Sequence, residues 1–180
     1  MRVDTVQPEN RSRAAAPEAT LVALGHREIA VLSGPPELTA VAVGWRGSAK
    51  GSPGQAAPWR AWCGARSPGR AGKRRLSAAG ARGRPAVFAV TEVMAVGALA
   101  ALREAGVRVP ENTSLAGFDD IPAVREASPP LTTVALPLTE MGEQVITLAS
   151  RTPSGAGRFR VLRIEGNVVL RGSTGAPPGS

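Results

Sequence analysis

Histidine and cysteine are almost absent from this chain of 180 residues, which has one His, His26, and one Cys, Cys63. A single cysteine excludes a disulfide within the chain, and a single histidine excludes a metal site built from several histidines. The sequence also offers no paired carboxylates, metal-binding cluster or phosphate-binding loop. We therefore expect a protein that is not an enzyme and that uses no metal or cofactor.

Long apolar runs are missing as well. No stretch approaches the roughly 18 consecutive apolar residues that a membrane span requires. Residues 1–13 are polar and charged, without the apolar core of a signal peptide. These absences predict a cytoplasmic protein that makes no membrane contact.

Acidic residues are absent from residues 44–84, although this segment holds ten of the 22 Lys and Arg and so accounts for the net charge of +8. Leu76 is its only Val, Ile, Leu, Phe or Met. That apolar surface cannot offset the entropy lost on ordering the backbone. We predict a mostly disordered segment without a packed strand or helix, which binds DNA only weakly and non-specifically by releasing counterions.

The remaining chain alternates between short β-rich runs and helical patterns with brief connections. Thr91 is a suitable N-cap, and Gly25 and Gly106 are typical helix stops. This alternation predicts an α/β fold with a parallel sheet. The predicted strands are 27–32, 85–90, 113–118, 131–134, 159–164 and 167–170, and the predicted helices are a piece ending at 24, 91–105, a turn after Pro122, and 138–150.

Two polar residues follow predicted strands directly: Thr91 after 85–90 and Asp119 after 113–118. Open α/β folds bind ligands at the carboxyl ends of their strands, and a carboxylate accepts two hydrogen bonds from sugar hydroxyls. The alternative is that each residue only caps the helix that follows it. We expect Glu92 to be a first-turn charge that favours the helix dipole, and Asp120 to be a helix cap.

Five stretches resemble, in order and spacing, the effector-binding domain of the LacI/GalR family of bacterial transcriptional regulators. They are VALGHREIAVLSGP (22–35), AVFAVTEVMAVGAL (86–99), RVPENTSLAGFDDI (108–121), PLTTV (130–134) and VVLRGST (168–174). The resemblance implies a periplasmic-binding-protein-like parallel sheet with flanking helices and an incomplete first subdomain. It also implies a sensor that binds a small metabolite, of the sugar or nucleobase class, and thereby controls DNA binding.

The resemblance assigns effector contact to Asp119, which matches the family's Gly-Phe-Asp-Asp pattern, and to Thr91, where the family usually has Asn. The Arg with which the family binds its effector has no counterpart here, because Ala42 and Gly44 occupy the positions where that Arg is expected. We therefore expect impaired, weak binding. We also expect a truncated sensor without the helix-turn-helix headpiece that precedes this domain in the family.

These observations divide the chain into four parts. Residues 1–43 are a remnant of the first sensor subdomain, 44–84 the basic segment, 85–174 the C-terminal α/β subdomain, and 175–180 a tail. The composition of 44–84 is typical of a GC-rich gene read out of frame, so we hypothesise compensating frameshifts near residues 43 and 84.

Three functions stay open from the sequence. The first is the sensor of a LacI-type regulator, acting as a homodimer or paired with an intact family member. The second is a solute-binding protein of the same fold. The third is non-specific nucleic-acid binding through residues 44–84, in which Trp45, Trp59 and Trp62 would allow base stacking.

Overall fold

The computed structural model describes residues 4–8, 20–33, 59–63, 86–150 and 160–177. Within these ranges it contains eight strands and three helices, and a helical end at residues 20–23 lies between the first two strands. The strands are β1 (Thr5–Pro8), β2 (Ile29–Ser33), β3 (Trp59–Cys63), β4 (Ala86–Ala89), β5 (Leu115–Ala116), β6 (Thr133–Ala135), β7 (Val161–Ile164) and β8 (Asn167–Val169), and the helices are α1 (Glu92–Glu104), α2 (Pro122–Arg125) and α3 (Leu138–Ala149).

The central sheet is parallel, in the order β3-β2-β4-β5. All four residues of β4 are buried, as expected of a strand covered on both faces. Successive side chains of β4 point to opposite faces, so Val87 joins the cluster beneath α1 and Phe88 joins the cluster on the other face. The prediction of an α/β fold with a parallel sheet is confirmed.

Strand β3 corrects one expectation. We predicted that residues 44–84 provide no strand, but Trp59–Cys63 pairs in parallel with β2 along its whole length. The prediction considered only Val, Ile, Leu, Phe and Met, whereas aromatic residues also favour strands, and β2 supplies a partner for the backbone. The rest of 44–84 lies outside the described residues, so the prediction of disorder there stays a prediction.

Helix α1 covers one face of the sheet. Its buried side chains include Ala95, Ala98 and Leu102, which pack in one cluster with Val87 and Leu115. The Thr91 hydroxyl oxygen accepts a hydrogen bond from the Met94 N–H at 3.4 Å, and Gly106 follows the helix with a φ of +71°. The predicted cap and stop of this helix are therefore confirmed.

Two further strand pairs lie outside the central sheet. Strand β1 pairs in parallel with β7, and β6 pairs antiparallel with β8. Strand β1 was not predicted, because four residues with a terminal proline carry no clear alternation. Helix α3 is amphipathic as predicted, yet none of its residues is buried, and Leu138 and Ile146 are 57% and 68% exposed.

Backbone hydrogen bonds join the end of β5 to β6, and a side-chain hydrogen bond joins β5 to the segment after β8. The N–H groups of Gly117 and Asp119 donate to the carbonyl oxygens of Thr132 and Val134 at 2.9 and 3.0 Å. The buried hydroxyl of Ser173 donates to the Leu115 carbonyl at 2.6 Å. These bonds hold the segment that carries Asp119 beside β6.

No helix in the described part of the chain is long and apolar enough to cross a membrane.

Candidate ligand site at the carboxyl ends of β4 and β5

The two candidate residues lie at the same edge of the sheet. Strands β4 and β5 are parallel neighbours, with Val87 opposite Leu115 and Phe88 opposite Ala116. Thr91 lies two residues beyond the end of β4, and Asp119 lies three residues beyond the end of β5 in the same direction. This edge is where open α/β sheets bind ligands. The structure therefore places Thr91 and Asp119 on the same edge, as the sequence predicts.

Asp119 has an unusual backbone. Its φ is +107°, and Asp120 follows with a φ of +56°, so two consecutive residues occupy the region that favours glycine. Aspartate tolerates this region better than most residues, but the conformation still costs free energy. The Asp119 N–H donates to the Val134 carbonyl, which helps to hold the turn. Such strained residues cluster at ligand sites.

The Asp119 carboxylate is half-buried, and no described side chain forms a hydrogen bond with it. Burial, and to a smaller extent the nearby negative charge of Glu92, raise its pKa from 3.8 to about 6. Both causes disfavour the charged form. Asp119 therefore has the properties of a group that is available for a partner outside the described part of the chain.

Glu92 lies in the first turn of α1, as predicted, but the sequence did not indicate its burial. The residue is only 1% exposed. Its Oε2 accepts the Ile121 N–H at 2.7 Å, and its Oε1 has no hydrogen-bond partner. The sequence indicated no paired carboxylates, whereas the fold brings Glu92 close to Asp119. No local signal predicts this, because Ile121 lies 29 residues further along the chain.

Asp120 does not cap a helix, contrary to the prediction. The N-cap of α2 is Ile121, which makes no side-chain capping bond. The Asp120 carboxylate instead pairs with Arg171 at 2.6 Å and with Arg125 at 2.8 Å. Arg171 also donates to the Leu131 carbonyl at 2.8 Å. Asp120 thus anchors the turn, while its neighbour Asp119 has no such partner among the described residues.

Thr91 caps helix α1 in the structure, and its contact with a ligand stays a prediction. Its side chain caps α1, as the alternative interpretation held. A hydroxyl that accepts from Met94 still has a hydrogen to donate. Ala42 and Gly44, which occupy the places of the Arg with which the family binds its effector, lie outside the described residues.

Within the described ranges no group of three or more His, Cys, Asp or Glu could hold a metal ion.

Comparison with known proteins identifies the family. Residues 19–174 match the model of the periplasmic binding protein-like domain. The chain belongs to this family. The resemblance to LacI-type regulators is confirmed by curated relatives, which include the ribose operon repressor of Haemophilus influenzae, 39% identical over 89 residues. The repressor CytR of Escherichia coli is 38% identical over 96 residues.

The aligned regions cover only part of this chain and only part of each relative. They cover 49% of this chain and 27% of the Haemophilus repressor, and 52% of this chain and 28% of CytR. The chain thus spans about a quarter of the length of the curated relatives it matches.

Solved structures confirm the fold. The complex of the transcriptional regulator CelR with cellobiose has a TM-score of 0.75 and 28% identity, and the match covers 96% of this chain and 54% of that chain. A LacI family regulator from Enterococcus faecium with bound ribose has a TM-score of 0.78 at 24% identity, covering 97% of this chain and 66% of that chain. The second match shows the fold alone.

Proposed function

We propose that this chain is the effector-sensing part of a LacI-type transcriptional regulator, and that it binds a small neutral sugar at the sheet edge formed by Thr91 and Asp119. The observation that carries the proposal is the half-buried Asp119 carboxylate, which follows β5 and has no hydrogen-bonding side chain among the described residues. A carboxylate at this edge accepts hydrogen bonds from two sugar hydroxyls.

The contrast between two adjacent aspartates supports this assignment. Asp120 is satisfied by Arg125 and Arg171 and has a structural task. Asp119 has a left-handed backbone and is partly buried, and both features cost free energy. No hydrogen bond from a described side chain offsets that cost. Groups held at a cost in this way are typical of binding sites. The cellobiose bound to the related regulator CelR favours the same ligand class.

The proposed affinity is weak. Where the family has an effector-gripping Arg, this chain has Ala42 or Gly44. One lost charged hydrogen bond costs about 1.5 to 3 kcal/mol, and each 1.4 kcal/mol or so is tenfold in affinity. We therefore expect dissociation constants in the millimolar range for pentoses and hexoses.

The proposed output is control of DNA binding rather than catalysis. We propose that ligand binding by residues 85–174 is transmitted to a DNA-binding headpiece outside residues 19–174, in a homodimer or in a pair with an intact family member. Relatives that are named as repressors support this output at the level of the family.

Isothermal titration calorimetry on the full chain tests the proposal, with D-ribose, D-glucose, cellobiose and hypoxanthine as ligands. We expect millimolar binding of at least one sugar, which Asp119→Ala abolishes. The matched control is Glu143→Gln, which removes one negative charge from the exposed surface of α3 and should leave binding unchanged. Binding that survives Asp119→Ala, or binding of hypoxanthine alone, would contradict the proposed site.

A further inference from the structure

The carboxylate of Glu92 spans the turn that carries Asp119. Its Oε2 accepts the Ile121 N–H at 2.7 Å. Its Oε1 faces Gly117, where an added Cβ would stand 3.4 Å from that oxygen. Asp119 lies midway between Gly117 and Ile121 in the chain. The buried Glu92 side chain therefore supports both ends of the turn from the α1 side.

The charge of Glu92 is not neutralised by any described group. Its Oε1 is buried without a hydrogen-bond partner. The elements around Asp119 contribute Glu92 from α1, Asp120 from the turn itself, Arg125 from α2 and Arg171 after β8, while β6 contributes no charged residue. Both arginines pair with Asp120. An unpaired buried charge acts strongly on its neighbours because little water screens it.

We propose that Glu92 is a positioning residue of the effector site, which holds the Asp119 turn through Ile121 and makes sugar affinity depend on pH through its charge. This inference rests on the proposed function, because it assumes that Asp119 accepts hydrogen bonds from the sugar. Only the ionised carboxylate accepts at both oxygens, and the protonated acid loses part of that capacity. Sugar binding should therefore weaken as Asp119 takes up a proton.

A titration without ligand tests the charge effect directly. Carboxyl ¹³C NMR on the full chain follows the ionisation of Asp119. Burial and Glu92 together raise the pKa of Asp119 to about 6, so we expect the wild-type midpoint near that value. Glu92→Gln keeps an acceptor for Ile121 and nearly the same volume but removes the charge. It should lower the midpoint, although burial still keeps it above 3.8. Glu143→Gln should not move it.

An equal midpoint in wild type and Glu92→Gln would overturn the inference. Should Glu92→Gln fail to fold, a wild-type midpoint near the ordinary value of 3.8 would also overturn the inference, because Glu92 would then have no such effect.

A second measurement uses D-ribose as the probe at pH 7.5 and pH 5. In wild type we expect about tenfold weaker binding at pH 5, since that pH lies about one unit below the Asp119 midpoint. In Glu92→Gln the ratio of the D-ribose dissociation constants at pH 5 and pH 7.5 should be smaller. Binding that requires Asp119 but is equally tight at both pH values would overturn the inference. Absence of binding of D-ribose, D-glucose and cellobiose at pH 7.5 would instead count against the proposed function, and the ligand-free titration would still test the effect of Glu92.

Discussion

Arg171 and Asp120 form an ion pair that joins the turn after β5 to the segment after β8, with Nη2 and Oδ1 2.6 Å apart. The side chains are only 15% and 8% exposed. Removal of one partner leaves a buried charge short of a hydrogen bond, which is strongly destabilising. We predict that Arg171→Ala lowers the free energy of unfolding by about 2 to 3 kcal/mol, measured by urea denaturation.

Arg125→Ala is the matched control for this prediction. Arg125 binds the other oxygen of the same carboxylate, but its side chain is 56% exposed. Exposed ion pairs contribute between zero and about 1 kcal/mol. We expect a loss below about 1 kcal/mol for Arg125→Ala, and equal losses in the two variants would contradict the assigned roles.

Asp119→Asn should stabilise the ligand-free protein at neutral pH. Because the pKa of Asp119 is raised from 3.8 to about 6, the folded state binds more protons than the unfolded state between these values. The free energy of unfolding therefore falls as the pH rises from about 4 to about 6 and stays lower above that. The shift corresponds to at most about 3 kcal/mol, and because water screens the half-buried group we expect a gain of about 1 kcal/mol at pH 7.5.

Urea denaturation of wild type and Asp119→Asn at pH 4.5 and pH 7.5 checks this prediction. The stabilisation by asparagine should be larger at the higher pH. A variant that is less stable than wild type by the same amount at both pH values would show that Asp119 has a structural role instead.

His26 should stay neutral at pH 7. Its Nε2 lies 2.9 Å from the Gly175 carbonyl, which can only accept, so Nε2 carries the hydrogen, and the buried Nδ1 has no partner. Burial lowers the pKa of His26 below 6.5, although the bond to Gly175 acts in the opposite direction. Its contribution to stability is therefore present above pH 6.5 and declines as the pH falls below that value.

The imidazole resonances measure this titration without assignment problems, because the chain has one histidine. We predict an NMR midpoint below 6.5. A midpoint above 6.5 would mean that a charged imidazole is stabilised in the folded protein, and it would contradict the buried hydrogen-bonding pattern described above.

Gly166 and Gly142 should respond to alanine in opposite ways. At Gly166 an added Cβ would lie 2.8 Å from Val134 Cγ1 and 2.9 Å from the Ala135 carbonyl oxygen. We predict a loss of about 1 to 3 kcal/mol for Gly166→Ala. Gly142 lies on exposed α3 with no atom within 4 Å of an added Cβ, so Gly142→Ala should gain about 0.5 to 1 kcal/mol. Thermal unfolding measures both, and the same sign for the two variants would contradict the packing around β8.

Local signals predict much of this fold. Thr91 and Gly106 delimit α1 because a cap and a left-handed stop act within one turn of the helix. The buried strand β4 is evident from its unbroken apolar run. Strands β1 and β3 were missed because both are defined by their partners, β7 and β2, and not by their own patterns.

The candidate site likewise combines features that the local sequence predicts with features that depend on distant residues. The position of Thr91 and Asp119 at one edge of the sheet is predictable because each directly follows a strand that the sequence predicts. The burial of Glu92 and the ion pair between Asp120 and Arg171 are not predictable, since Ile121 and Arg171 lie 29 and 51 residues away along the chain. The expected cap role of Asp120 was wrong because its carboxylate pairs with distant Arg171 and with Arg125, the last residue of α2.

The most direct test of the proposed sensor is to map D-ribose binding on the full chain by ¹H–¹⁵N NMR at pH 7.5. We predict saturable shifts at millimolar ligand that are largest for the amides of Thr91, Glu92, Asp119 and Ile121, and that disappear in Asp119→Ala. Saturable shifts confined to other residues, such as those of the shallow groove beside Arg103 and Arg108 at the far end of α1, would contradict the site. The absence of any saturable shift with D-ribose, D-glucose or cellobiose would contradict sugar sensing by this chain.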